Sequence, residues 1–87
     1  MSLQLQIPKL KGPANYRIWS MTVRAYLESE DLWNVVQSTP SDRAGLRKES
    51  RARYILLCLI EDEVFNELDY LESAERLWDY LKFKYEY

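Results

Sequence analysis

Over most of the chain, apolar residues return every three or four positions, the period of a helix buried along one side. Trp19, Val23 and Tyr26 recur in this way, flanked by Ile18, Thr22 and Ala25, while Arg17, Arg24 and Glu28 fit the wet side. Asn15 stands where an N-cap belongs, its side-chain oxygen placed to accept an orphan backbone N–H. Glu30 and Asp31 open a second, short helix carrying Leu32, Trp33, Val35 and Val36, because acids in a first turn suit the positive end of the helix dipole. Residues 37–42 form the clear loop: Pro40 blocks a helix, and Ser41 or Asp42 caps the next one. A third helix is expected from about residue 44 to 60. Gly45 weakens its start. Ala52, Ile55, Leu56, Leu59 and Ile60 give it a broad apolar face, which places it at the centre of a bundle. Glu61, Asp62 and Glu63 head a short fourth helix with Val64, Phe65 and Leu68. Ser73 caps a last helix that lines up Leu77, Trp78, Leu81 and Tyr85, with Lys82 and Lys84 at the negative end of its dipole.

Residues 3–7 follow another rule. Leu3, Leu5 and Ile7 alternate with glutamines, which is strand periodicity, and Pro8 and the Gly12-Pro13 pair close the segment in a turn. So short a strand makes no sheet alone. It reads either as an extended arm lying on the helices or as a strand that pairs with a partner chain or peptide. The arm is preferred, because chain ends carry little structure of their own. The expected fold is therefore all-α: a compact bundle of about five helices. Residues 1–13 form an extended arm and turn, and residues 14–87 a single helical lobe.

Composition narrows the function. With 87 residues, 47% of them hydrophobic and 14% aromatic, the chain supports one domain with one core. The formal charge is −2, from 12 basic and 14 acidic residues, without the basic excess of a domain that lives on phosphate contacts. Histidine is absent, which removes the commonest general base and metal ligand. The single cysteine, Cys58, makes neither an intrachain disulfide nor a zinc site and fits a reducing, cytoplasmic compartment. No long apolar run predicts a membrane span, and the N-terminus lacks the pattern of a secretion signal. Glu61, Asp62 and Glu63 fan out around a helix axis at consecutive positions and do not converge on one atom. No phosphate loop, Cys-His pair or nucleophile elbow is present. Neither an enzyme nor a cofactor or metal site is expected.

Two features remain for function. Trp19, Trp33 and Trp78, with Tyr16, Tyr26, Tyr54, Tyr80 and Tyr85, supply either stacking platforms for bases or a core. Helical spacing beside Leu and Val favours core. Charge is uneven as well. Arg43, Arg47 and Arg51 step by four along the third helix and make one basic ridge, whereas residues 61–79 hold eight acids against Arg76. Such faces are either simply solvated or suit head-to-tail contact between copies. Nucleic-acid binding by the ridge is the weaker option, since nearby acids repel phosphate.

The ordered set of motifs resembles a known family. Leu10-Lys-Gly12, Asn15-Tyr16-x-x-Trp19, Tyr26-Leu27-Glu28 and Leu32-Trp33-x-Val35-Val36 are similar to the start of the Gag protein of copia-type LTR retrotransposons. Ala52-x-x-Ile55-Leu56-x-x-Leu59 and Ser73-Ala74-x-x-Leu77-Trp78-x-x-Leu81-x-x-x-Tyr85 resemble its second half. The resemblance runs over roughly residues 8–86. Ser73 replaces the family's usual Thr and keeps the cap; Leu77 replaces a small Ala before Trp78. The resemblance implies an all-helical N-terminal lobe of a capsid protein that self-assembles into a shell around element RNA. A second helical lobe, a zinc knuckle and a protease Asp-Ser/Thr-Gly motif are not in the sequence. An excised lobe, or a host gene derived from one, is therefore the expectation. The expected partner is the chain itself, with a host peptide held in a groove as the alternative and RNA contact weak or indirect. Leu3, Leu5, Ile7, Arg43, Arg47 and Arg51 are the candidate contact residues.

Overall fold

The computed structural model describes residues 7–65 and 73–86. Leu3, Leu5 and Leu68 lie outside the described residues. The fold is all-α: α1 (Tyr16–Ser29), α2 (Trp33–Gln37), α3 (Arg43–Cys58), α4 (Asp62–Phe65) and α5 (Ala74–Tyr85). α3 packs against both α2 and α5, and α1 against α2.

α1 buries Tyr16, Trp19, Val23 and Leu27, a stripe stepping by three, four and four. Tyr26, expected in that stripe, is only half-buried, and Ile18 faces solvent. Asn15 is the N-cap by position, yet its side chain makes no bond to the helix. Its Oδ1 accepts the Lys11 amide (2.9 Å) and its Nδ2 donates to the Lys9 carbonyl (3.0 Å). The backbone at Asn15, φ −121° and ψ 10°, departs from the extended conformation that aims a capping side chain at the first turn. The residue therefore ties down the turn ahead of the helix. Gly12 sits in that turn at φ 143°, a conformation that L side chains rarely adopt.

The acids expected to open α2 instead close α1. Asp31 takes φ 59°, the Leu32 amide donates to the Leu27 carbonyl (2.8 Å), and the Asp31 amide donates to that of Glu28 (3.1 Å). These two bonds make a Schellman ending, with Leu27 and Leu32 both buried beside it. α2 starts only at Trp33 and has no acid in its first turn.

Asp42 caps α3 by accepting the Gly45 amide on Oδ2 (3.3 Å). Gly45 lies so close to Pro40 that a Cβ there would fall 2.5 Å from the proline Cβ. The glycine thus permits a close approach of loop and helix. The buried face of α3 is narrower than the sequence pattern suggested: Ala52 and Leu56 are buried, but Ile55 and Leu59 only half so. Position 49 completes that stripe with a charged residue. The two remaining helices start as expected. α4 carries Asp62 and Glu63 in its first turn, and Ser73 caps α5 by accepting the Arg76 amide on Oγ (3.1 Å).

The N-terminal segment joins the core. Leu10 is fully buried and forms an isolated parallel bridge to Ile60. Its amide donates to the Leu59 carbonyl (2.7 Å), and its carbonyl accepts the Glu61 amide (3.0 Å). Ile7 is half-buried against the same cluster.

Candidate functional site

The aromatic residues define what is left for function. Trp19 is 0% exposed and donates its indole N–H to the Leu59 carbonyl (2.9 Å). Its ring stacks on Trp78 (centroids 5.7 Å apart), and Trp78 meets Trp33 edge-on (5.0 Å). Tyr16 bridges Trp19 and Tyr85, with ring centroids 6.2 and 5.9 Å away. This chain of rings joins α1, α2 and α5, so the tryptophans hold helices together: Trp19 is wholly enclosed, while the half-buried Trp33 and Trp78 also line a shallow groove. Burial pushes the Tyr16 phenol up to about 12, with the nearby charge of Glu86 adding to the effect. Tyr54 departs from the expected core: it is 69% exposed on α3, a turn away from the exposed Cys58.

The remaining residues singled out by sequence are mostly framework. Leu27, Leu32 and Leu81 are core, and Tyr85 closes its edge. Gly12 and Asn15 shape the turn before α1, and Ile55 and Leu59 pack half-buried along α3.

The basic ridge divides in two. Arg43 and Arg47 are exposed at the start of α3, and no ion pair engages them among the described residues. Arg51 is already used: its guanidinium donates to Glu30 (3.0 Å), beside Lys48, which pairs with Asp31 (2.8 Å). The neighbouring ammonium holds the Asp31 carboxyl below its ordinary range. Glu30 and Asp31, which end α1, thus fasten that end to α3.

Sequence reading missed Glu49. It is 4% exposed, and its carboxylate accepts the Ala74 amide (2.6 Å) at the N-terminus of α5 while pairing with Arg53 (3.3 Å). The available signal was its place on the Ala52–Leu56 stripe, where a lone charge calls for a buried partner. Glu75 makes a further tie, its Oε1 accepting the amide (2.8 Å) and hydroxyl (2.6 Å) of Thr39. Those bonds hold its carboxyl below the usual value.

Two surface features are concave or apolar. A shallow groove between α1 and α5 is lined by Tyr16, Ser20, Met21, Arg24, Lys82 and Glu86, with Trp33 and Trp78 at its floor. The Arg24 guanidinium lies 4.8 Å from the centre of the Trp33 ring. The outer side of α1 exposes Ile18 and Met21, each at 63%. No group of three or more metal-ligating side chains gathers among the described residues, and no helix there is long and apolar enough to cross a membrane.

The lobe thus packs its three tryptophans between helices and leaves most of its charged side chains on the surface, with Tyr54 and Phe83 exposed beside them. The model of the gag-polypeptide of LTR copia-type elements matches residues 23–87, and the chain belongs to that family. The match takes in Leu27, Leu32, Trp33 and all of α2 to α5, while Gly12, Asn15, Tyr16 and Trp19 precede it. No curated protein and no solved structure matched the chain.

Proposed function

We propose that the chain is a structural self-association module, a Gag capsid N-terminal lobe that contributes to assembly of a shell. The observation that carries this reading is the division of labour in the lobe. Its three tryptophans and Tyr16 pack between the helices, while Arg43 and Arg47 stand on the surface with no ion pair among the described residues. Glu61, Asp62 and Glu63 near α4 supply surface charge of the opposite sign, so a neighbouring copy offers the ridge its counter-charge. Family membership supports a structural role over a catalytic one. Charge reversal of Arg43 and Arg47 together is expected to reduce particles seen by electron microscopy at low salt and to leave the helical circular dichroism intact. Undiminished particle formation by that double variant refutes the electrostatic contact.

The groove floored by Trp33 and Trp78 favours a second reading, a host-adopted domain that holds a partner peptide. Arg24 and Lys82 on its rim suit an acidic peptide, and the two indoles an apolar anchor. Binding would alter tryptophan emission on titration with acidic, leucine-bearing peptides, and Arg24→Glu would abolish the change. Unaltered emission across such peptides removes this reading.

A further inference from the structure

We infer that α1 is a two-fold pairing helix: its outer face packs antiparallel against α1 of a second copy of this chain. The inference deepens the self-association reading and rests on it, and it concerns a different surface from the Arg43–Arg47 ridge.

The face is apolar where a solitary surface helix is polar. Tyr16, Trp19, Val23 and Leu27 fill the side of α1 that meets the core. At 100° per residue, Ile18, Met21 and Ala25 lie on the opposite side, and all three are exposed. A helix apolar on both sides is one that packs on both sides. The hydroxyls beside the stripe are already spent on the helix itself: Thr22 donates to the Ile18 carbonyl (2.7 Å) and Ser29 to that of Tyr26 (2.6 Å). Covering the face therefore strands neither of those donors.

Charge selects a second copy as the occupant. One flank of the stripe carries Arg17 near its start and Glu28 near its end, about 16 Å apart along the axis; Glu28 also pairs within the helix with Arg24 on that flank (3.5 Å), an exposed contact that leaves its second oxygen for another cation. A two-fold axis perpendicular to α1 near residue 22 reverses the direction of the helix and keeps like flank beside like flank. Arg17 of each copy then meets Glu28 of the other, twice over. A parallel two-fold arrangement would instead set that flank against the uncharged flank of Thr22 and Ser29 and form neither pair. The pattern is self-complementary in one orientation only. One helix face falls well short of the roughly 800 Å² per partner of a stable complex. Pairing is thus weak alone, with a dissociation constant on the order of 100 μM, and strengthens when many copies are linked.

Sedimentation equilibrium of the 87-residue chain up to about 1 mM reads the pairing. The wild-type chain is expected to show a monomer–dimer equilibrium, and Met21→Glu to weaken it at least about tenfold with unchanged helicity. Glu28→Arg alone sets like charges together across the pair, the new guanidinium against Arg17 of the other copy, and weakens it. Adding Arg17→Glu restores complementary pairs and returns affinity to within about threefold of wild type. A wild-type chain that stays monomeric throughout, or a double swap no better than the single one, overturns the inference. So does dimerisation that appears only after residues 1–6 are removed, which assigns the face to the chain's own arm. Particle formation scores the shell reading separately, so particles that survive Met21→Glu refute the pairing in assembly and leave that reading standing.

Discussion

Replacing Glu49 by alanine removes a carboxylate that serves two groups at once. Its Oε2 accepts the Ala74 amide at 2.6 Å, and its Oε1 faces the Arg53 guanidinium at 3.3 Å, with the residue only 4% exposed. The variant strands a backbone donor at the start of α5 and leaves Arg53 without this counter-charge. Leaving the amide unsatisfied and losing this charge contact costs about 2–4 kcal/mol, against total stability of about 4–13 kcal/mol for a chain of this size. At about 4–8 °C per kcal/mol, the melting midpoint falls by roughly 8–32 °C. Glu49→Gln keeps an acceptor for Ala74 and gives up only the charge, so its loss is smaller, about 1–2 kcal/mol. Urea unfolding followed by circular dichroism, with thermal melts alongside, measures both. An alanine variant within about 0.5 kcal/mol of wild type refutes the claim that this carboxylate joins α3 to α5. Equal losses for Gln and Ala show that the charge, and not the accepted hydrogen bond, carries the effect.

Gly45→Ala is expected to destabilise by about 1–3 kcal/mol despite a gain of about 1 kcal/mol in helix propensity, because the new Cβ collides with the stiff Pro40 ring; a stabilised variant in urea unfolding contradicts this. Trp19→Phe should lose at least about 1 kcal/mol more than Trp33→Phe, since Trp19 gives up its bond to Leu59 whereas the buried Trp33 N–H has no partner to lose among the described residues. Equal unfolding midpoints would show that indole hydrogen bonding is irrelevant here. The Tyr16 phenol, raised to about 12 against about 10 unfolded, favours the folded state while it stays protonated. That stability is complete below about pH 10 and fades as pH rises through about 12, a slope that Tyr16→Phe should lack. Tyrosinate absorbance checks it: a folded chain whose tyrosines all titrate together near pH 10 excludes the raised value.

The helices were legible because their periodicity is local. Trp19 and Val23 on α1, and Leu77, Leu81 and Tyr85 on α5, repeat at a spacing that only one face of a helix satisfies. The caps Asp42 and Ser73 were equally local, each serving an amide three residues on. What stayed hidden depended on distant partners. Asn15 looked like a cap, but backbone at φ −121° and ψ 10° turned its side chain to Lys9 and Lys11. Glu30 and Asp31 looked like the acids of a first turn, and Lys48 and Arg51 from α3 claimed them. Arg51 therefore left the ridge it was expected to share with Arg43 and Arg47. Glu49 sat in a basic stretch that fitted a solvated face or a contact between copies, and its partner, the Ala74 amide, lies twenty-five positions away. Tyr54 shows the converse: an aromatic beside leucines need not be inside.

The Leu59 carbonyl receives both the Leu10 amide and the Trp19 indole, so a single peptide oxygen buckles the front of the chain to its middle. The matched stretch begins at Val23, yet the body of the lobe is clasped from Leu10 onward. A version of the chain trimmed to the matched stretch would begin partway along α1, without Leu10, Tyr16 and Trp19 to fill the interior. Evolution is then free to rewrite the opening residues only in ways that preserve that clasp, whatever the outer surface becomes.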